Sequence, residues 1–92
     1  MNLNKEQIEM IEQMGYRLMG PRLICINIGV KWIDFYDDFQ NPESEVYKAY
    51  YKGFIQQTME LQENIIKAAK NGSNPAQDQL LSFLRRLEVE LK

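Results

Sequence analysis

The sequence predicts an all-α domain in which a short helix-turn-helix unit, residues 1–40, precedes a long helical hairpin, residues 41–92. Three observations lead there. Gly15, Gly20-Pro21, Gly29, Asn41-Pro42 and the run Asn71-Gly72-Ser73-Asn74-Pro75 cut the chain into five segments. Within each segment apolar residues recur at helical steps of three, four or seven rather than at the two-residue alternation of strands. At 92 residues, 45% hydrophobic and 26% charged, the chain has an ordinary globular composition and enough length for one core but not two.

Asn4, with Gln7 three residues later, has the form of a capping box, and Ile8, Ile11 and Leu18 follow at helical spacing. A first helix over about residues 5–14 is expected, with Gly15 as its cap. Pro21 suits the first turn of a second helix through Leu23, Ile24 and Ile28, because the N–H it lacks would have no helical partner there. Gly29 can adopt the positive φ of a tight turn, and a third short helix follows at about residues 31–39. Asn41-Pro42-Glu43 combines a capping side chain, a preset φ and an acid at the positive end of a helix dipole. A long helix is therefore expected from 42 to 70, carrying Val46, Tyr50, Phe54, Leu61, Ile65 and Ala68. Gly53 inside it costs about 1 kcal/mol relative to Ala, which a close helix crossing would explain. Lys70 and Gly72 end it. Asn74-Pro75 with Gln77 opens a last helix, whose Leu80, Leu84, Leu87 and Leu91 form a stripe beside Arg85 and Arg86.

Composition narrows the function. Eleven Lys and Arg stand against thirteen Asp and Glu, a net charge of −2, so a nucleic-acid footprint has to be local. One cysteine, Cys25, and no histidine rule out an internal disulfide, a thiolate or imidazole zinc site within one chain, and Ser-His-Asp or Cys-His catalysis. With no GxxxxGK[ST] phosphate loop either, no catalytic residue, cofactor or metal is assigned, and the chain is not expected to be an enzyme. Glu6, Glu9 and Glu12, like Asp34, Asp37 and Asp38, follow ordinary helical surface spacing. Lys67, Lys70, Arg85 and Arg86 read as the solvated face of the hairpin, and Cys25 reads as a packing residue. The polar N-terminus lacks the features of a signal peptide, and no stretch approaches the roughly 18 apolar residues of a membrane span. A cytoplasmic protein without a membrane partner is expected.

Residues 21–39, PRLICINIGVKWIDFYDDF, carry the most information. Two helices that cross steeply need a small residue where they touch, a glycine where the chain turns, and apolar residues that bury the corner. Cys25, Gly29, Val30 and Phe35 meet those needs. Lys31, Trp32, Ile33, Tyr36, Asp37 and Gln40 then lie on the exposed side of a recognition helix, and the DNA-binding candidates are Arg17, Arg22, Lys31, Trp32 and Tyr36. Asp34, Asp37 and Asp38 outnumber Lys31, which disfavours tight non-specific DNA binding. Trp32, Phe35, Tyr36 and Phe39 also recur at i, i+3, i+4 and i+7, so burial of that whole aromatic face against the long helix is an equally economical arrangement. In that case the scaffold would serve as a helical adaptor that binds protein rather than DNA.

The short three-helix unit, NPESEVYKAYYKG at the start of the long helix and AAKNGSNPAQDQLLSFLRRL after it together resemble phage terminase small subunits and related phage helix-turn-helix proteins. The resemblance spans most of the chain and rests on Ala49-Tyr50-Tyr51-Lys52-Gly53 and Ala68-Ala69-Lys70-Asn71-Gly72-Ser73. It implies a DNA-recognising unit followed by an oligomerising hairpin. It further implies a role in viral DNA packaging or a related prophage process, presenting double-stranded DNA to a separate large-subunit ATPase. The chain departs from the group in its shortness and its acidic third helix; Arg17, Arg22 and Lys31 repeated around a ring would offset a weak footprint through avidity. Tyr47 and Tyr51 on the long helix, with Leu80, Leu84 and Leu87, are the expected interface of a homo-oligomer.

Overall fold

The computed structural model describes residues 2–91. Its elements are five helices: α1 (Lys5–Tyr16), α2 (Pro21–Ile28), α3 (Trp32–Gln40), α4 (Glu45–Lys70) and α5 (Asn74–Leu91). The described residues contain no strand. The all-α expectation holds, with short helices followed by a long one. The chain divides into two units, Met1–Thr58 and Met59–Lys92, and the boundary falls inside α4.

In the first unit, α1 starts as its capping box requires. The Asn4 side chain accepts from the Gln7 N–H at 2.8 Å, and the Gln7 side chain accepts in return from the Asn4 N–H at 3.0 Å. Gln7 also donates through Nε2 to the Ile28 carbonyl at 3.1 Å, tying the start of α1 to the end of α2. The far end of α1 differs from expectation. Gly15 does not cap the helix; it lies buried within it, and the cap falls at Arg17.

The reason is a helix crossing. A Cβ built on Gly15 would overlap the Tyr50 carbonyl oxygen and lie 3.2 Å from the Tyr50 Cα; one built on Gly53 would overlap the Glu12 carbonyl oxygen and lie 2.7 Å from the Tyr16 nitrogen. Each glycine thus meets the other helix's backbone, α1 against α4, with no room for a side chain. The close crossing expected at Gly53 is present. An exposed ion pair, Lys52 Nζ to Glu12 Oε1 at 3.4 Å, flanks it and adds little.

This contact lets the apolar faces of four helices meet in one core: Ile11 and Met14 of α1, Ile24 and Cys25 of α2, Phe35 of α3, and Val46, Ala49 and Tyr50 of α4. Phe35, Ile11, Ile24 and Val46 are fully buried, each contributing about 1.5–3 kcal/mol relative to an exposed position. Tyr50 links the turn after α1 to α3: its phenol donates to the Met19 carbonyl at 2.9 Å, and its ring meets the edge of Phe39 at 5.0 Å between centroids.

The turns share one device. After α1 the Met19 N–H reaches the Met14 carbonyl at 3.1 Å, after α2 the Val30 N–H reaches Cys25 at 3.3 Å, and after α4 the Ser73 N–H reaches Ala68 at 3.1 Å. Each six-residue closure places the residue before its donor in the left-handed region, with φ of 59° at Leu18, 74° at Gly29 and 92° at Gly72. Glycine serves at two of them. Leu18 occupies the third, at a conformational cost of about 1–2 kcal/mol.

The start of the long helix also differs from expectation. Asn41 and Pro42 do not open α4; the Asn41 side chain accepts from the Glu43 N–H at 3.1 Å and closes a turn of its own. Ser44 is the capping residue. Its Oγ accepts from the Tyr47 N–H at 3.1 Å and donates to the Asp38 carbonyl, so one hydroxyl satisfies the start of α4 and the end of α3.

In the second unit, residues 59–70 of α4 and α5 form a helical hairpin closed by Asn71-Gly72-Ser73. The last helix begins at Asn74-Pro75 as expected, and Ser73 caps it, its Oγ accepting from the Ala76 N–H at 3.4 Å. Ala69 and Ala76 are buried, so small residues mark the approach of the two helices, and Gln77 Nε2 donates to the Ala69 carbonyl at 3.0 Å. Beyond that point α5 is open. Leu84, Leu87 and Leu91 are 49%, 48% and 77% exposed.

Gly53→Ala is expected to lower unfolding stability by about 1–3 kcal/mol through overpacking, although helix propensity alone would raise it by about 1 kcal/mol; urea denaturation decides the sign. Burial holds the Tyr50 phenol above its usual value of 10.0, with Tyr51 adding to the shift. A folded pKa raised above the unfolded one means stability that is complete below pH about 10 and is lost as pH rises through the folded value. Melting temperatures between pH 9 and 12 are expected to fall less steeply in Tyr50→Phe than in the parent chain.

Candidate nucleic-acid interface

The helix-turn-helix corner is built from residues 24–35. Gly29, at φ 74° and ψ 38°, ends α2. Its own N–H and that of Val30 both donate to the Cys25 carbonyl, at 3.1 and 3.3 Å, while the Cys25 thiol donates to the Val30 carbonyl at 3.0 Å. The small residue expected at the corner therefore both packs and closes the turn, with Ile24 and Phe35 buried beside it. Lys31 is the N-cap of α3 and is exposed.

With Phe35 turned inward, the other side of α3 faces solvent: Ile33 is 76% exposed, and Asp34, Asp37 and Gln40 are exposed as well. Trp32 and Tyr36 are half-buried, which corrects their placement on the exposed side and equally corrects burial of the whole aromatic face. The aromatic repeat is split. Phe35 and Phe39 turn toward the core, where Phe39 meets Tyr50 and Tyr51 at 5.0 and 6.3 Å. Trp32 also packs against the core, and Tyr36 stacks on it, 5.0 Å away and within 12° of parallel. The guanidinium of Arg22, from the first turn of α2, lies 4.3 Å from the Trp32 ring centroid. Gln40 Nε2 donates to the Tyr36 hydroxyl at 2.7 Å and braces the outer ring. Gly20, Pro21, Arg22, Leu23, Trp32 and Tyr36 line a shallow surface hollow of about 430 Å³.

Of the five DNA-binding candidates, the fold brings Arg22, Trp32 and Tyr36 together and sets Lys31 next to them in the chain. Arg17 stands apart. It donates to the Gln13 carbonyl at 3.3 Å and lines another hollow, of 320 Å³, with Glu12, Tyr16, Lys52 and Gly53 at the α1–α4 crossing. Charge is unevenly placed: Arg22 and Lys31 sit at the N-terminal end of α3, where the helix dipole adds positive potential, and Asp34, Asp37 and Asp38 follow it. The Arg22–Trp32 contact could not be read from the sequence, because it joins residues ten apart across a turn. The i, i+4 spacing of Trp32 and Tyr36 was the one visible signal.

The candidate oligomer residues fall in different units. Tyr47 and Tyr51 are half-buried in the first, their rings 4.5 Å apart. Leu80, Leu84 and Leu87 belong to the second, where with Gln62, Ile66 and Phe83 they line an open groove of about 400 Å³. Of the hairpin's basic residues, Lys67 pairs with Glu63 at 3.3 Å and Arg86 lies over Phe83 at 5.0 Å.

Among the described residues, no group of three His, Cys, Asp or Glu side chains could hold a metal ion, and no helix is long and apolar enough to cross a membrane. No protein-family model matches the sequence, and neither a curated protein nor a solved structure matches it.

Cys25 is 4% exposed, with its thiol bonded to a carbonyl. It is expected to react with a colorimetric disulfide reagent at least about a hundredfold more slowly in the native chain than in urea, as an opening free energy of about 3 kcal/mol would impose; equal rates would contradict its burial.

Proposed function

We propose that this chain is a non-enzymatic DNA-recognition and assembly protein that acts as a phage terminase small subunit does, in viral DNA packaging or a related prophage process. The observation that carries the reading is the arrangement at the N-terminal end of α3: a helix-turn-helix corner with Arg22 and Lys31 beside the end from which such helices address base edges. Asp34, Asp37 and Asp38 keep the contact confined to that end, because carboxylates further along repel phosphate. A single footprint of this size binds weakly, so the reading includes self-association through the open leucine face of α5, which would multiply it. In this role the protein would present double-stranded DNA to a separate large-subunit ATPase.

A second reading, a helical adaptor that binds protein, is favoured by one observation: Leu23, Ile26 and Ile33 are 54%, 76% and 76% exposed, large apolar side chains on the surface of α2 and α3 that suit protein contact.

Fluorescence anisotropy with labelled duplex DNA across a salt series, with light scattering in the same buffer, separates the two. The DNA reading predicts affinity that falls with a log–log slope of about −0.9 per phosphate contacted and is abolished in Arg22→Glu/Lys31→Glu. A folded oligomer that binds no DNA at low salt would leave the adaptor reading in its place.

A further inference from the structure

The stack at α2 and α3 has a geometry that goes beyond a set of DNA-contacting side chains. Arg22 lies 4.3 Å and Tyr36 5.0 Å from Trp32, the latter nearly parallel to it. Both groups rest on the same indole. Trp32 is also half-buried and packs against the core. Little of its ring is left for a nucleobase.

Arg22 has the opposite character. It is exposed, and within the described chain it forms no hydrogen bond or ion pair with a carboxylate or carbonyl. A guanidinium held over a ring through its charge leaves its N–H donors available for the fork that matches two oxygens of a phosphodiester. Tyr36, held by Gln40, packs against Trp32. The open hollow beside the stack gives a ligand oxygen access.

We propose that Arg22 is a phosphodiester clamp and that Trp32 and Tyr36 are positioning residues which hold it and do not themselves touch the nucleic acid. This rests on the DNA-recognition reading and makes that reading more specific. Its cause is entropic: a free arginine side chain must be ordered on binding, whereas one already held on an aromatic ring loses less.

The test is a double-mutant cycle on full-length protein, read by anisotropy with a labelled duplex at low salt. Arg22→Gln is expected to weaken binding and to reduce the salt slope by about 0.9, the loss of one phosphate contact. Trp32→Leu is expected to weaken binding about two- to fivefold, the value of an exposed cation–π contact expressed as affinity, and to have no effect in the Arg22→Gln background. Trp32→Phe, which retains a ring, is expected to recover most of the loss, and thermal melts show which variants are folded. Equal losses from Trp32→Leu with and without Arg22 would mean that the indole contacts DNA directly, and would overturn the positioning role while leaving DNA recognition intact. Loss of the aromatic ring without effect in either background would also overturn it. A parent chain that binds no duplex would overturn both.

Discussion

The α1–α4 crossing is the constraint on which the first unit depends. Gly15 and Gly53 each lie against the backbone of the opposing helix, so the two helices meet main chain to main chain. Such proximity has a cost, since glycine inside a helix sacrifices propensity and leaves the unfolded chain freer. The return is the position of α4. Held this near, it sends Val46, Ala49 and Tyr50 into the layer occupied by Ile11, Met14 and Phe35. Tyr50 then reaches the Met19 carbonyl and the Phe39 ring. The turn before α2 and the inner face of α3 are both fastened to one side chain.

The outer face of α3 follows from that fastening. With Phe35 and Phe39 committed inward, Trp32 packs partly against the core and also meets Arg22, while Tyr36 stacks on Trp32. The surface that results is mixed in character: cationic at the start of α3, acidic after it and apolar at Ile33. Net charge says little about such a surface, because the potential a ligand meets is set within about a Debye length, roughly 8–10 Å. The chain's overall −2 is compatible with a cationic end on one helix.

The positions that were legible in the sequence are those governed by local chemistry. The Asn4–Gln7 capping box, the left-handed glycines at 29 and 72, and the small residue at the helix-turn-helix corner follow from requirements of the adjacent backbone, and the five helices could be placed from them. Gly15 illustrates the limit. A glycine near the end of a helical pattern has the form of a cap, and only its contact with Tyr50 shows that it serves packing. Asn41-Pro42 is similar: a sound start signal was superseded by Ser44, whose hydroxyl also meets Asp38 of the preceding helix. At the candidate site, the aromatic spacing of α3 was visible but the contact of Trp32 with Arg22 was not, since that depends on the angle at which α2 crosses α3.

The most direct measurement is a titration of uniformly ¹⁵N-labelled protein with a short duplex at low salt, followed by amide chemical shifts and the Arg22 side-chain Nε–H signal. Recognition through the N-terminal end of α3 predicts progressive shifts at Arg22, Lys31 and the first turn of α3, with residues around Gly15 and Gly53 unmoved. Shifts confined to other surfaces, or a spectrum unchanged by DNA, would contradict it.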